Sequence, residues 1–310
     1  MSDPSCHGDR SPVTISFEVM PPRNPDAAPK FWGTVDGLIA SRPDFLSVTY
    51  GAAGQDRSSA RTVVSRLVRE TPVQPIAHLT CVGTSQDEVA EVVTDYLDSG
   101  VRTFLALRGD PPVGRPDWAP TSEGVTSATQ LVALIRALES RRCHTHPGAA
   151  LRAAFKPLTL AVAAFPGGNP AAGTTPEQEV ERLLVKQAAG ADFAITQLFW
   201  NPDTYVSFVQ RARACGVTLP ILAGLLPPTD PARLRRVTDL TGIEAPRSLV
   251  DRLVGQEDPA ACHVLGVHEG ARIAREVLEA GAPGVHLYTF NRAAPALDLL
   301  QEVGLLDPVT

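Results

Sequence analysis

A (β/α)8 TIM barrel is the fold this sequence predicts, and three observations predict it. Eight short apolar runs recur along the chain, each bounded by Pro, Gly or Asp. Stretches with helical periodicity lie between them. The first run ends in EVMPPR, without the G-x-G-x-x-G turn that an open doubly wound sheet usually carries there. Strand and helix alternating eight times is the signature of such a barrel, and right-handed crossovers carry it round without misplacing a strand.

The runs are, in order, VTISFEVM (13–20), DFLSVTYG (44–51), PIAHLTCVG (75–83), RTFLALRGD (102–110), LTLAVAAFPGG (158–168), DFAITQLFW (192–200), TLPILAGLLPP (218–228) and GVHLYTFN (284–291). Val, Ile, Leu, Phe and Thr dominate them, as in strands covered on both faces. Among the helices, DEVAEVVTDYLDSG (87–100) aligns Val89, Val92, Val93, Tyr96 and Leu97 on one face, with Gly100 as its stop. Ser85 and Glu88 form a capping-box pattern. PEQEVERLLVKQAAG (176–190) starts with Pro and stops at Gly. SARTVVSRLVRET, SATQLVALIRALES and EGARIAREVLEAG (269–281) fill further gaps. Residues 140–156, rich in Arg and His, read as an extended helix end plus a surface loop. Residues 242–261 read as one extra helix before the last strand. Residues 1–12 are expected to be a flexible tail, and 13–310 a single barrel domain.

Composition narrows the class. The 310 residues are 44% hydrophobic and 20% charged, with a formal net charge of −6. Without a basic run, neither nucleic acid nor an anionic membrane is an expected partner. The five Cys are widely spaced and lack C-x-x-C, so neither a disulfide framework nor a metal site is expected. There is no leader-like apolar segment and no run of 18 apolar residues, so a cytoplasmic location is expected. No terminal regulatory domain is expected. Barrels of this kind often self-associate, so a homo-oligomer is an open expectation.

A barrel enzyme works at the C-terminal ends of its strands. Those ends carry Glu18; Thr49 and Tyr50; His78 and Thr80; Arg108, Gly109 and Asp110; Phe165 and Asn169; Gln197; and Tyr288, Asn291 and Arg292. Each has a bland reading alone: Glu18 could pair with a cation, His78 could be a satisfied core histidine, and Asp110 could cap a turn. Lys186 reads as a residue on a solvated helix face. Together, so much polarity at one end of an apolar barrel needs a ligand or water to satisfy it.

The ordered set ISFEVMPPR, LSVTYGA, AHLTC, ALRGDPP, AITQLFW and LYTFNR resembles the methylenetetrahydrofolate reductase family over roughly residues 13–305. That resemblance implies a flavin-dependent barrel that uses FAD and NADH or NADPH to reduce 5,10-methylenetetrahydrofolate to 5-methyltetrahydrofolate, a step of one-carbon metabolism. It implies Glu18 as general acid and Asp110 as an anion near flavin and folate. Gln197, Tyr288 and Arg292 would join Asp110 in the folate site. Thr49, His78, Arg108, Gly109, Asp110, Phe165, Asn169 and Lys186 would hold the cofactors, with Thr49 on the nicotinamide side. Arg108 would either meet the flavin pyrophosphate or brace Asp110.

The chain departs from the family pattern in places. AAFPGGNP puts Asn169 where a flavin-contacting His is expected, and Gly167 and Gly168 would loosen that loop. Arg233 and Val237 stand where Gln and Phe are often found. General acid chemistry at Glu18 would need a raised pKa, which Phe17, Val19, Met20, Pro21 and Pro22 are expected to supply as dry surroundings. Three other readings stay open: a flavin-independent folate reductase, a pterin-dependent methyl-transfer barrel, and a barrel that only binds.

Overall fold

Alternation along each strand sorts side chains to two faces, and this chain uses both for burial. A computed structural model describes residues 13–50, 57–82, 84–109 and 124–306. Its strands are β1 (Thr14–Val19), β2 (Phe45–Val48), β3 (Gln74–Thr80), β4 (Thr103–Leu107), β5 (Thr159–Ala164), β6 (Phe193–Thr196), β7 (Ile221–Leu225) and β8 (Gly284–Tyr288). They form a closed barrel in chain order, every neighbouring pair parallel, with β1 pairing both β2 and β8. The TIM barrel read from the sequence is the fold.

The helices are α1 (Ala28–Ala40), α2 (Arg57–Glu70), α3 (Gln86–Asp98), α4 (Ala128–Thr145), α5 (Pro147–Phe155), α6 (Pro176–Ala188), α7 (Pro202–Ala214), α8 (Pro231–Thr241), α9 (Arg247–Val254), α10 (Pro259–Glu279) and α11 (Ala293–Val303). Local chemistry starts several of them. Ser85 and Glu88 complete the expected capping box on α3, and Thr175 and Gln178 complete another on α6. Asp230 caps α8 by accepting from the Ala232 and Arg233 amides.

Outward side chains such as Phe17, Val19, Leu46, Val48, Phe104 and Leu160 join helix residues in the main core between sheet and helices. A second apolar cluster, inside the barrel, is built from Ile76, Leu105, Ala161, Phe193, Ile195 and Leu222. A third joins Leu198, Trp200, Leu226, Leu234, Val237, Leu249, Leu253 and Cys262, tying α8, α9 and α10 to the mouth at β6–β8.

Two element boundaries differ from expectation. The 140–156 stretch is not a helix end plus loop: α4 runs to Thr145, and Pro147 opens a separate helix, α5, at a position where its missing N–H costs nothing. The extra helix before the last strand is present as α9. The helix expected over 269–281, however, starts ten residues earlier, at Pro259 behind the Asp258 cap. Gly266 conceals it, because a glycine disfavours helix by about 1 kcal/mol; burial of Cys262, Val267, Ile273 and Val277 carries it instead. Among the described residues no helix is long and apolar enough to cross a membrane, and no group of three or more His, Cys, Asp or Glu could hold a metal ion.

Candidate functional site

On β1, Ser16 and Glu18 share one parity and the buried outward residues Ile15, Phe17 and Val19 the other, so the two polar side chains enter the barrel. Glu18 is register partner to Ser47 on β2 and to Tyr288 on β8, and Ser16 to His286. At the mouth end the Glu18 carboxylate keeps 21% of its side-chain surface. Its Oε2 lies 3.7 Å from His78 Nε2 and 4.0 Å from His286 Nε2. Among the described residues, neither imidazole Nε2 has a hydrogen-bond partner, and neither does the Ser47 hydroxyl. His286 Nδ1 and Ser16 Oγ are hydrogen-bonded at 2.9 Å, and the His286 ring meets Tyr288 edge-on at 5.1 Å. The Tyr288 hydroxyl donates to the Thr196 carbonyl at 2.8 Å.

These neighbours set the protonation states. Burial alone would raise the Glu18 pKa, but the facing imidazoles, His286 ahead of His78, outweigh it and hold the carboxyl below its ordinary range. This corrects the expectation of a raised value. Two of the residues expected to dry Glu18, Phe17 and Val19, point to the opposite face of the sheet. Burial lowers His78 to about 4 against the pull of Glu18, which keeps that ring neutral at physiological pH. Burial and the Glu18 charge push the Tyr288 phenol well above its usual value.

The remaining expected residues spread around the mouth. Thr49 follows β2 and its amide donates to the Val19 carbonyl at 3.1 Å, beside Glu18. Arg108 is exposed at the end of β4, and its carbonyl takes the Cys81 and Val82 amides at 3.2 and 3.0 Å. Gly109 adopts φ +87°, and a Cβ there would meet the Thr80 Cβ at 3.0 Å; only glycine lets this strand end close on its neighbour. Asp110 lies outside the described residues. Gln197 follows β6; its amide oxygen already accepts the Leu198 N–H at 2.8 Å, which leaves its NH2 group to act as donor.

Phe165 and Asn169 are half-buried after β5. Their loop is not loosened by its glycines. Gly168 sits at φ +85°, where a Cβ would be 2.4 Å from the Thr174 carbonyl oxygen, and the Asn169 and Thr174 backbones bond each other in both directions. Nor is Lys186 on a solvated face. Its ammonium donates to the Ala163 carbonyl at 2.8 Å, and burial lowers it to about 8. Arg292 is exposed and 3.9 Å from Asp230; Arg233 lies over the Phe290 ring at 5.7 Å, and Val237 is buried in the mouth cluster.

The structure thus brings Glu18, His78 and Tyr288 together, and adds Ser16, Ser47 and His286, which the strand-end survey passed over. Parity could have found His286: in GVHLY it alternates with Val285 and Leu287 and shares a face with Tyr288.

A family model described as methylenetetrahydrofolate reductase matches residues 6–304. The chain belongs to the methylenetetrahydrofolate reductase family. The Escherichia coli (strain K12) 5,10-methylenetetrahydrofolate reductase is 28% identical, over 94% of this chain and 91% of its own length. A probable methylenetetrahydrofolate reductase (NADH) from Oryza sativa subsp. japonica is 30% identical over 95% of this chain, which spans about half of that longer relative. Among solved structures, a Clostridium thermocellum protein that binds two copies of 5-methyl-5,6,7,8-tetrahydrofolic acid superposes with a TM-score of 0.60 at 16% identity, covering 95% of each chain. At that identity the likeness speaks for the barrel alone. Among the described residues, Glu18, His78, His286 and Tyr288 form one group of titratable side chains inside the barrel at its mouth.

Proposed function

We propose that this chain reduces 5,10-methylenetetrahydrofolate to 5-methyltetrahydrofolate with NADH or NADPH, using FAD. The observation that carries the reading is a part-exposed carboxylate at the end of β1, set among two imidazoles and a phenol beside the apolar cluster inside the barrel, in a chain of this family.

The residues on the β3–β5 side fit an anionic dinucleotide. His78 has a buried nitrogen with no hydrogen-bond partner among the described residues, Gly109 lets the β4 end close against Thr80, and Arg108 and Lys186 supply cations. These residues, with Thr49, Phe165, Asn169 and Asp110, would hold FAD. When bound, FAD supplies hydride transfer between nicotinamide and folate.

The rest falls to side chains of this chain. The folate's five-membered ring must open to an iminium ion before it can accept hydride, and opening needs a proton on the departing nitrogen. Glu18 is the group to give it. The folate itself would cover the exposed fifth of the carboxylate and strengthen the burial that favours its acid form. Gln197 would offer its NH2 donors to a folate or nicotinamide carbonyl. Asp110 would accept the pterin's N–H donors and favour the cationic intermediate. Tyr288 and Arg292 would line the folate side of the mouth.

A visible spectrum of the purified protein, followed by anaerobic titration with NADH and with NADPH and then methylenetetrahydrofolate, tests this. A yellow protein that each nicotinamide bleaches to its own extent, and that folate reoxidises, is the expected result. A colourless preparation that still turns over folate would replace it with a flavin-independent reductase. A preparation that binds folate without turning it over would leave a binding barrel.

A further inference from the structure

Away from the mouth, one helix leaves apolar surface in water. Phe155, at the end of α5, is 84% exposed, and Leu151, four residues earlier, is 61% exposed. A spacing of four puts both on one face of α5, while Ala149 is buried beneath it. The other large exposed apolar side chains, Val185, Leu240, Val254 and Val264, stand singly on four different helices. Single ones are ordinary on a soluble surface; a pair on one short helix is a contact surface without its partner.

Charge says what the partner carries. Residues 140–156 hold Arg141, Arg142, Arg152 and Lys156 and no Asp or Glu, in a chain whose net charge is −6. Arg141, Arg152 and Lys156 are exposed, and none has an ion-pair partner among the described residues. The opposite pattern lies on α3. Its thirteen residues include Asp87, Glu88, Glu91, Asp95 and Asp98 and no Lys or Arg. Asp95 meets Arg61 of α2, and Asp98 meets Arg142 of α4. Asp87 and Glu91 are exposed and have no ion-pair partner among the described residues. Among those residues, Asp87, Ala90, Glu91, Thr94 and Asp95 line a shallow groove along α3, with the small Ala90 and Thr94 beside the acids.

The two patches face away from each other's reach within one copy. Helices of the barrel return antiparallel to the strands, so α3 starts at the mouth end and finishes at the opposite end, where α5 leads into β5. At 1.5 Å per residue, Asp87 and Glu91 stand roughly 10–16 Å along the helix from Asp98, the acid that does meet α4.

We propose that this face binds a second copy of the chain. A twofold axis beside α3 and α4, perpendicular to the barrel axis, would run the two barrels antiparallel. It lays the basic α4–α5 corner of each copy on the acidic half of α3 of the other, with Phe155 and Leu151 in the groove beside Ala90 and Thr94. The symmetry makes the contact twice, once in each direction, and closes it as a dimer. The aromatic anchor supplies the apolar burial and the surrounding charges fix the orientation.

Sedimentation velocity on the full chain over a wide concentration range tests this. The expected result is a species of twice the chain mass that dissociates on dilution. Phe155→Ser removes no core packing, and should weaken the dimer at least about 30-fold. Two charge-reversed chains give the decisive arm. Asp87→Lys with Glu91→Lys makes both faces basic; Arg152→Glu with Lys156→Glu makes both acidic. Each alone should be monomeric, and mixing the two should restore a dimer, because both contacts are then complementary. A wild-type chain that stays monomeric overturns the proposal, and so does one that is monomeric and instead pellets with anionic phospholipid vesicles. A dimer that Phe155→Ser and the reversals leave intact uses another face and also overturns it, as does a mixture that stays monomeric. Should one double variant not fold, Phe155→Ser and the other still decide. None of these residues belongs to the candidate site, so the result is independent of the folate reading.

Discussion

The two sides of the barrel interior obey opposite rules. From β3 to β7 the inward residues Ile76, Leu105, Ala161, Phe193, Ile195 and Leu222 pack as an ordinary apolar core. From β8 through β1 to β3 the interior holds Ser16, Ser47, Glu18, His78 and His286, and three of these carry buried polar atoms without a hydrogen-bond partner among the described residues. The first side stabilises the barrel; the second costs it stability. A fold that spends packing on one half can afford unsatisfied polarity on the other, and the unsatisfied half is where a ligand would be welcome.

Substitutions on the two sides should therefore read out differently. The largest effect is expected on the polar side. On the proposed function, Glu18→Gln should slow the folate half-reaction by about 10²–10⁴-fold, the usual worth of general acid catalysis, while nicotinamide still bleaches the flavin. Stopped-flow measurement of each half-reaction separates the two, and normal folate reoxidation would remove Glu18 from its role.

On the apolar side, Leu222→Ala should cost about 2–5 kcal/mol of stability by denaturant unfolding, with the spread set by how far the cavity collapses. A loss under 1 kcal/mol would mean that this half is not the packed core described.

Acid should expose the polar side's cost next. His78 is lowered from 6.5 to about 4 in the fold, so the unfolded chain binds the extra proton between those values. Stability then rises with pH across that window: the full contribution is present above about 6.5 and is lost as pH falls toward 4. The amount is roughly 3 kcal/mol. Glu18, also held below its ordinary range, adds a further loss at the acid end, once pH falls through its folded value. His78→Asn should flatten the upper part of this slope; an unchanged slope would contradict the buried neutral ring.

Smallest, Ser47→Ala should be neutral or stabilising by about 1 kcal/mol, because it removes a buried hydroxyl that has no hydrogen-bond partner among the described residues. A clear destabilisation would mean that this hydroxyl is satisfied after all.

Sequence alone determined the barrel, the starts of α3, α4 and α6, and the strand-end residues Glu18, Thr49, His78, Arg108, Gln197 and Tyr288, because periodicity, capping and strand punctuation are local physics. It failed where packing overrode propensity, as in the glycine-containing first half of α10, and where a neighbour's identity mattered more than the residue itself. Lys186 looks like any helix-surface lysine until the Ala163 carbonyl takes its ammonium. The Glu18 carboxyl was expected to be raised by its chain neighbours, yet it is lowered by imidazoles 60 and 268 positions away. Which face a strand residue takes follows from parity, but which charges meet across the barrel follows only from closing β8 onto β1. Electrostatic interaction depends on distance through space, and the chain reveals that distance only once it has folded.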